Sequence, residues 1–150
     1  MGSDDGARLA AALGLLLARP TRMRLFGDLL TAGDVNLDEA TYPVLNGLAR
    51  AGPTTARKLS AEIGIDRSVV SRHSDRLEAL GLLRRSADPD DARATRLTVT
   101  DEGHAAIERL RGRLAGAFQR RLDAWPAEDA RAFVAGMERF VEENLAERGR

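Results

Sequence analysis

The sequence predicts a mainly helical α+β fold, a succession of helices interrupted by one small β-hairpin. Two short helical segments, Ala56 to Ile63 and the run between Asp66 and Gly81, meet at Gly64-Ile65. Leu82-Leu83-Arg84-Arg85 and Leu97-Thr98-Val99 flank the turn Asp88-Pro89-Asp90-Asp91, which reads as strand, turn, strand. Long segments at both ends keep an apolar stripe of 3.6 period. A hairpin directly after two helices joined in this way is a winged helix-turn-helix, whose second helix enters the major groove of DNA.

The first segment, about Ala7 to Leu30, places Leu9, Leu13, Leu16, Leu17, Met23, Phe26, Leu29 and Leu30 on a wide apolar stripe. Pro20 removes a hydrogen bond and clashes with the preceding turn, so a kink or break is expected near Ala18. The apolar run Leu9 to Ala18 is expected to be part of a packing helix rather than a secretion signal. Asp4 and Asp5 occupy the segment that should be basic, and no small-residue cleavage site precedes Arg19-Pro20. Thr31-Ala32-Gly33-Asp34 is a loop. A second helix runs from about Asp38, a candidate N-cap, to Ala51, stopped by Gly52-Pro53. Pro43 pushes its start toward Thr41 or Tyr42. Thr55 caps the third helix, with Leu59 and Ile63 inward.

In the next helix Asp66 is placed as N-cap and Gly81 as the left-handed residue past the far end. Val70, Ser74, Leu77 and Leu80/Gly81 form its inward stripe. Ser68, Ser71, Arg72 and Asp75 form the opposite one, with Arg67, Val69, His73 and Arg76 on the shoulders. Hydroxyls and a guanidinium suit a helix pressed into a groove, because serine bonds base edges or phosphates and arginine forks onto guanine. Arg84-Arg85 and the arginines 93 and 96 make the hairpin basic, fit to reach a minor groove. Thr100 caps a long helix with Ile107, Leu110, Leu114, Ala117, Phe118 and Leu122 on one stripe. Trp125-Pro126 breaks it. The last helix, about Ala127 to Ala146, aligns Ala130, Phe133, Val134, Met137, Phe140, Val141 and Leu145. Apolar helices at both termini exceed what one small module covers, which predicts a dimer interface.

Three stretches together, D-R-S-V-V-S-R-H-S-D-R-L-E-A-L-G-L-L-R-R, D-P-D-D-A-R-A and L-T-V-T-D-E-G, resemble the MarR family of bacterial transcription regulators. The resemblance covers the middle third closely and the flanking helices by pattern. It implies a homodimer joined through N- and C-terminal helices: residues 1–35 and 104–150 form the dimerisation region, and 36–103 the DNA-binding region, within one compact domain. Ser68, Ser71 and Arg72 look like major-groove readers, and Arg93 like the minor-groove arginine of the wing tip. Asp91 looks like the carboxylate that braces Arg93. Arg67 flanks the reading stripe, and Arg76, Arg84 and Arg85 hold phosphates or internal salt bridges. His73 fits either a phosphate contact or a packed neutral side chain. Ala92 departs from the family, which commonly has Arg, Lys or Gly there, so wing affinity is expected to be lower. The resemblance also implies a repressor of a pseudo-palindromic operator, released by a small aromatic or phenolic ligand. Phe26 and Tyr42 are candidates for that pocket, although aromatic residues at such positions are more often plain core residues.

Composition narrows the alternatives. Lys+Arg and Asp+Glu are both 23, a formal net charge of zero, so clustering must supply what phosphate neutralisation needs. Seven arginines (67, 72, 76, 84, 85, 93, 96) face five acids (Asp75, Glu78, Asp88, Asp90, Asp91) across the motif. That modest surplus predicts salt-sensitive binding by two copies of the module. With no cysteine in the chain, disulfides, thiolate metal sites and cysteine redox sensing are excluded. His73 and His104 have no carboxylate cluster at ligand spacing, so neither metal nor cofactor is expected. Ser71 and His73, two apart on a helix, do not face each other, and no glycine-rich phosphate loop is present, so no catalytic residue is assigned. No run reaches the roughly 18 apolar residues of a membrane span, and a cytoplasmic protein is expected. The alternatives are a winged helix that binds protein, or a constitutive regulator without ligand response.

Overall fold

The structure, a computed structural model, describes residues 3–21, 23, 24, 37 and 40–146. The chain forms two compact units, Met1–Arg111 and Gly112–Arg150.

In the first unit, α1 (Ser3–Leu17) carries Asp4 and Asp5 in its first turn, where carboxylates complement the helix dipole. The chain bends at Ala18 and resumes helical geometry with Thr21 N–H on the Ala18 carbonyl, 3.0 Å. The break therefore falls two residues before Pro20, where the proline ring demands it. Leu9, Leu13, Leu16 and Leu17 remain exposed. Phe26, the rest of the expected helix to Leu30, the 31–34 loop and Asp38 lie outside the described residues.

α2 (Tyr42–Ala51) begins at the later of the two expected starts, because Pro43 fits a first-turn position whose N–H has no intrahelical partner. Val44, Leu45 and Leu48 are fully buried. A two-residue strand not expected from the sequence, β1 (Thr54–Thr55), follows; it is too short to leave an alternating pattern. In α3 (Ala56–Ile63) Thr55 Oγ1 accepts from the Lys58 N–H at 3.3 Å, the expected cap, and Leu59 is fully buried. Gly64, at φ 68°, then makes the left-handed turn into α4 (Arg67–Ala79).

Val70, Ser74 and Leu77 bury the inward face of α4. Leu80 departs from the expected stripe and is 38% exposed. The helix closes at Ala79, so Leu80 no longer shares its periodicity. The hairpin is β2 (Leu83–Ala87) and β3 (Thr95–Val99), and the antiparallel sheet runs β1-β3-β2 with Leu83 opposite Val99 and Thr54 opposite Leu97. The three helices α2, α3 and α4 pack on one another and on this sheet. Their shared core is aliphatic: Leu45, Leu48, Leu59, Val70, Leu77, Leu82 and Leu97 are at most 2% exposed. Each such side chain contributes about 1.5–3 kcal/mol by leaving water.

Thr100 joins the two ends of this module. Its N–H donates to the Leu82 carbonyl at 3.0 Å, its hydroxyl donates to the Gly81 carbonyl at 2.7 Å, and its Oγ1 accepts from Gly103 N–H at 3.0 Å. A Cβ at Gly103 would collide with the Leu82 carbonyl oxygen and a Val99 methyl, so only glycine permits the approach. From this joint α5 (Asp101–Leu122) departs, burying Ala106, Ile107 and Leu110.

The second unit holds the last turns of α5 and α6 (Ala127–Ala146). α5 stops at Leu122, and the Trp125 ring lies 5.3 Å from the Phe133 ring at 59°. Phe133, Val134, Met137, Phe140 and Val141 are 39–47% exposed along α6, and Phe118 on α5 is 44% exposed.

Candidate nucleic-acid interface

The outward face of α4 is set by its start. Asp66 Oδ1 accepts the Ser68 N–H at 2.7 Å and the Ser68 hydroxyl at 2.5 Å. These two bonds hold the Asp66 carboxyl below its ordinary value, because both favour the charged form. With the first turn pinned and Val70, Ser74 and Leu77 inward, Arg67, Ser68, Ser71, Arg72, Asp75 and Arg76 are all left exposed, and His73 is half-buried. The Ser74 hydroxyl is buried with no hydrogen-bond partner, which costs about 1–3 kcal/mol.

The wing divides its arginines between two tasks. Arg85 turns back onto α4, donating to Asp75 Oδ1 and Glu78 Oε2, each at 2.7 Å. Burial works against its charge, but the hydrogen bond to Asp75 and the fields of both carboxylates outweigh it and raise its pKa. Of the two roles expected for it, the internal salt bridge is the one formed. Arg96 bonds Asp88 at 3.4 Å and lies 3.6 Å from Asp90. Arg84 and Arg93 are exposed.

Asp88 organises the tip. Its Oδ1 accepts the Asp90 N–H at 2.9 Å, its own N–H donates to the Ala94 carbonyl, and the side chain is 7% exposed. The Asp90 N–H and the Arg96 guanidinium lower its pKa, against the opposing effect of burial. In the sequence Asp88 is legible only as a turn residue and Arg96 only as a basic one. The spacing that pairs them, across a hairpin of unknown register, is not visible in one dimension. Asp91 meets Arg93 through the backbone, accepting the Arg93 N–H at 2.9 Å; the brace is on the main chain of the tip rather than on the guanidinium.

Between the start of α3, the exposed side of α4 and the wing lies a groove of about 670 Å³. Arg57, Lys58, Arg67, Ser71 and Arg93 line it together with Asp75, Asp90 and Asp91. Arg57 and Lys58 were not singled out from sequence; their proximity to Ser71 and Arg93 arises from the fold. Tyr42, the described candidate for an effector pocket, is half-buried at the first turn of α2. Among the described residues no cluster of His, Asp and Glu is arranged to hold a metal ion, and no helix is long and apolar enough to cross a membrane.

A helix-turn-helix with an exposed Ser/Arg stripe, followed by an arginine-tipped hairpin, defines a winged-helix DNA-binding protein. The MarR family profile matches residues 35–94, the segment that builds α2, α3, α4, β2 and the hairpin tip. Over this module the chain is similar to the MarR family of transcription regulators, and its curated relatives are HTH-type transcriptional regulators. The chain is 27% identical over 105 residues to the uncharacterized HTH-type transcriptional regulator YxaD of Bacillus subtilis, spanning 70% of this chain and 73% of that one. The PcaV transcriptional regulator of Streptomyces coelicolor, solved in complex with its natural ligand, is 27% identical, with a TM-score of 0.61 over 91% of each chain. A MarR family protein from Bacillus stearothermophilus shares the fold at a TM-score of 0.78 and 21% identity, covering 97% of this chain and 99% of that one.

Proposed function

We propose that the chain acts as a homodimer that represses transcription by binding a pseudo-palindromic operator in double-stranded DNA, and that a small organic ligand releases it. Residues 36–103 serve as the DNA-binding region, and 1–35 with 104–150 as the dimerisation region. The observation that carries this reading is the shared exposure of Ser68, Ser71 and Arg72 on one side of α4, with Ser71 lining the same groove as Arg93 at the wing tip. Arg72 reads a guanine in the major groove, Arg93 enters the neighbouring minor groove, and Arg84 holds phosphate. The exposed apolar faces of α1 and α6 support a second copy as their cover, since water contact with so many large side chains is unfavourable. The ligand is a proposal by similarity to PcaV, which was solved with one.

Operator selection from random duplexes tests the reading. Half-sites should lie about 10–10.5 bp apart, centre to centre. Arg72→Ala should cost roughly 1–3 kcal/mol and relax the base preference at one position per half-site. Arg93→Ala should weaken binding while leaving major-groove preference intact. Wild-type affinity in both variants would remove this surface from the interface.

A further inference from the structure

Ser68 and Ser71 are equally exposed on α4 and carry the same hydroxyl, yet the structure treats them differently. The Ser68 hydroxyl donates its proton to Asp66 Oδ1 at 2.5 Å, and the same oxygen accepts the Ser68 N–H. Among the described residues, Ser71 makes no such bond. A hydroxyl has one proton and two lone pairs. With the proton engaged, Ser68 can offer only lone pairs outward.

We propose that Ser68 is an obligate hydrogen-bond acceptor in the major groove, selecting adenine or cytosine on the strand it faces because those bases present an amino group there. This rests on the reading of α4 as the groove-entering helix and adds the chemistry of one position. The base code makes the consequence sharp: adenine N6 and cytosine N4 donate in the major groove, whereas guanine O6 and thymine O4 only accept. To face guanine or thymine, Ser68 would have to abandon a bond to a carboxylate, and charge-assisted bonds are roughly twice as strong as neutral ones. Asp66 supplies that carboxylate dependably, since the Ser68 bonds themselves keep it ionised. Arg72, one turn further along and so on the same face, is a donor without acceptor capacity. The helix therefore presents an acceptor and a donor one turn apart, a polarity that fixes which strand of each half-site is read. Ser71, free to donate or accept, imposes no such rule.

The test selects operators with the wild-type protein and with Ser68→Ala and Asp66→Ser, each checked for helix content by circular dichroism. Serine at position 66 still caps the helix but removes the carboxylate oxygen. The position that Ser68→Ala relaxes should be adenine or cytosine for the wild type, favoured about 2–10-fold over guanine or thymine, the range for one hydrogen bond. In Asp66→Ser that preference should fall toward one, because the hydroxyl can then donate as well. Replacing an adenine there by purine, which lacks the N6 amino group, should cost wild type the same factor and Ser68→Ala nothing. Guanine or thymine at that position, no position relaxed by Ser68→Ala, or an unchanged preference in Asp66→Ser would overturn the proposal while Arg72-dependent preference persists. Loss of all sequence preference in the wild type would instead sink the groove-reading assignment itself.

Discussion

At the scale of single residues, the wing depends more on carboxylates than on arginines. Asp88 ties the Asp90 N–H, the Arg96 guanidinium and the returning strand into one turn. Its folded pKa is depressed, so the sign of the pH effect follows. Its contribution is complete above the ordinary Asp value of about 3.9 and is lost as pH falls through the lower folded value. Amide exchange in Thr95–Val99 should accelerate in that acid window. Asp88→Asn should loosen the wing already at neutral pH and abolish this acid step; an unchanged acid response in the variant would place the titration elsewhere. Arg85 and Arg96 spend their charge inside the module, which leaves fewer cations for phosphate than the raw count of arginines suggests.

At the scale of elements, α6 leaves Val134, Met137 and Val141 exposed in the single chain. A charge at Val134 therefore breaks no intrachain core, and its cost arises only if a second copy covers it, where an unpaired buried carboxylate is strongly unfavourable. Val134→Glu should stay helical by circular dichroism, become monomeric by light scattering and lose operator binding. A dimeric variant would move α6 out of the proposed interface. Most elements were legible in the sequence because local chemistry specifies them: Thr55, Asp66 and Thr100 cap the helices they precede, and Pro43 sets the start of α2. What stayed hidden depends on contacts distant in sequence. β1 exists because β3 offers it an edge, and Arg57 and Lys58 join the groove only through the packing of α3 on α4. The partner of Arg85 had two readings in sequence, and only the turn at Gly81 brings β2 back along α4 to decide between them.

For the whole molecule, the absence of cysteine restricts the signal it can receive. Peroxide can act only through slow oxidation of Met1, Met23 and Met137. A ligand that releases DNA must favour the DNA-incompetent state. A coupling of about 1–3 kcal/mol lowers operator affinity some 5–150-fold, and bound operator weakens the ligand by the same factor. Titrating aromatic acids and phenols into the protein–operator complex checks both directions. Rapid release by mild peroxide, reversed by a thiol, would contradict the reading, and release by no compound would describe a constitutive regulator.

The joint at Thr100 has a consequence for how such a protein can change. The chain leaves Leu82 to build the wing and returns to bond the same carbonyl through Thr100. Everything between is a closed excursion whose two ends are fixed to each other. Because those bonds and the glycine contact at position 103 hold the base, residues near the tip can be added, deleted or exchanged without displacing α4 or α5. The hairpin tip is thus the place where a lineage can vary the wing independently of α4, and where an engineer can graft a new tip onto an unchanged body.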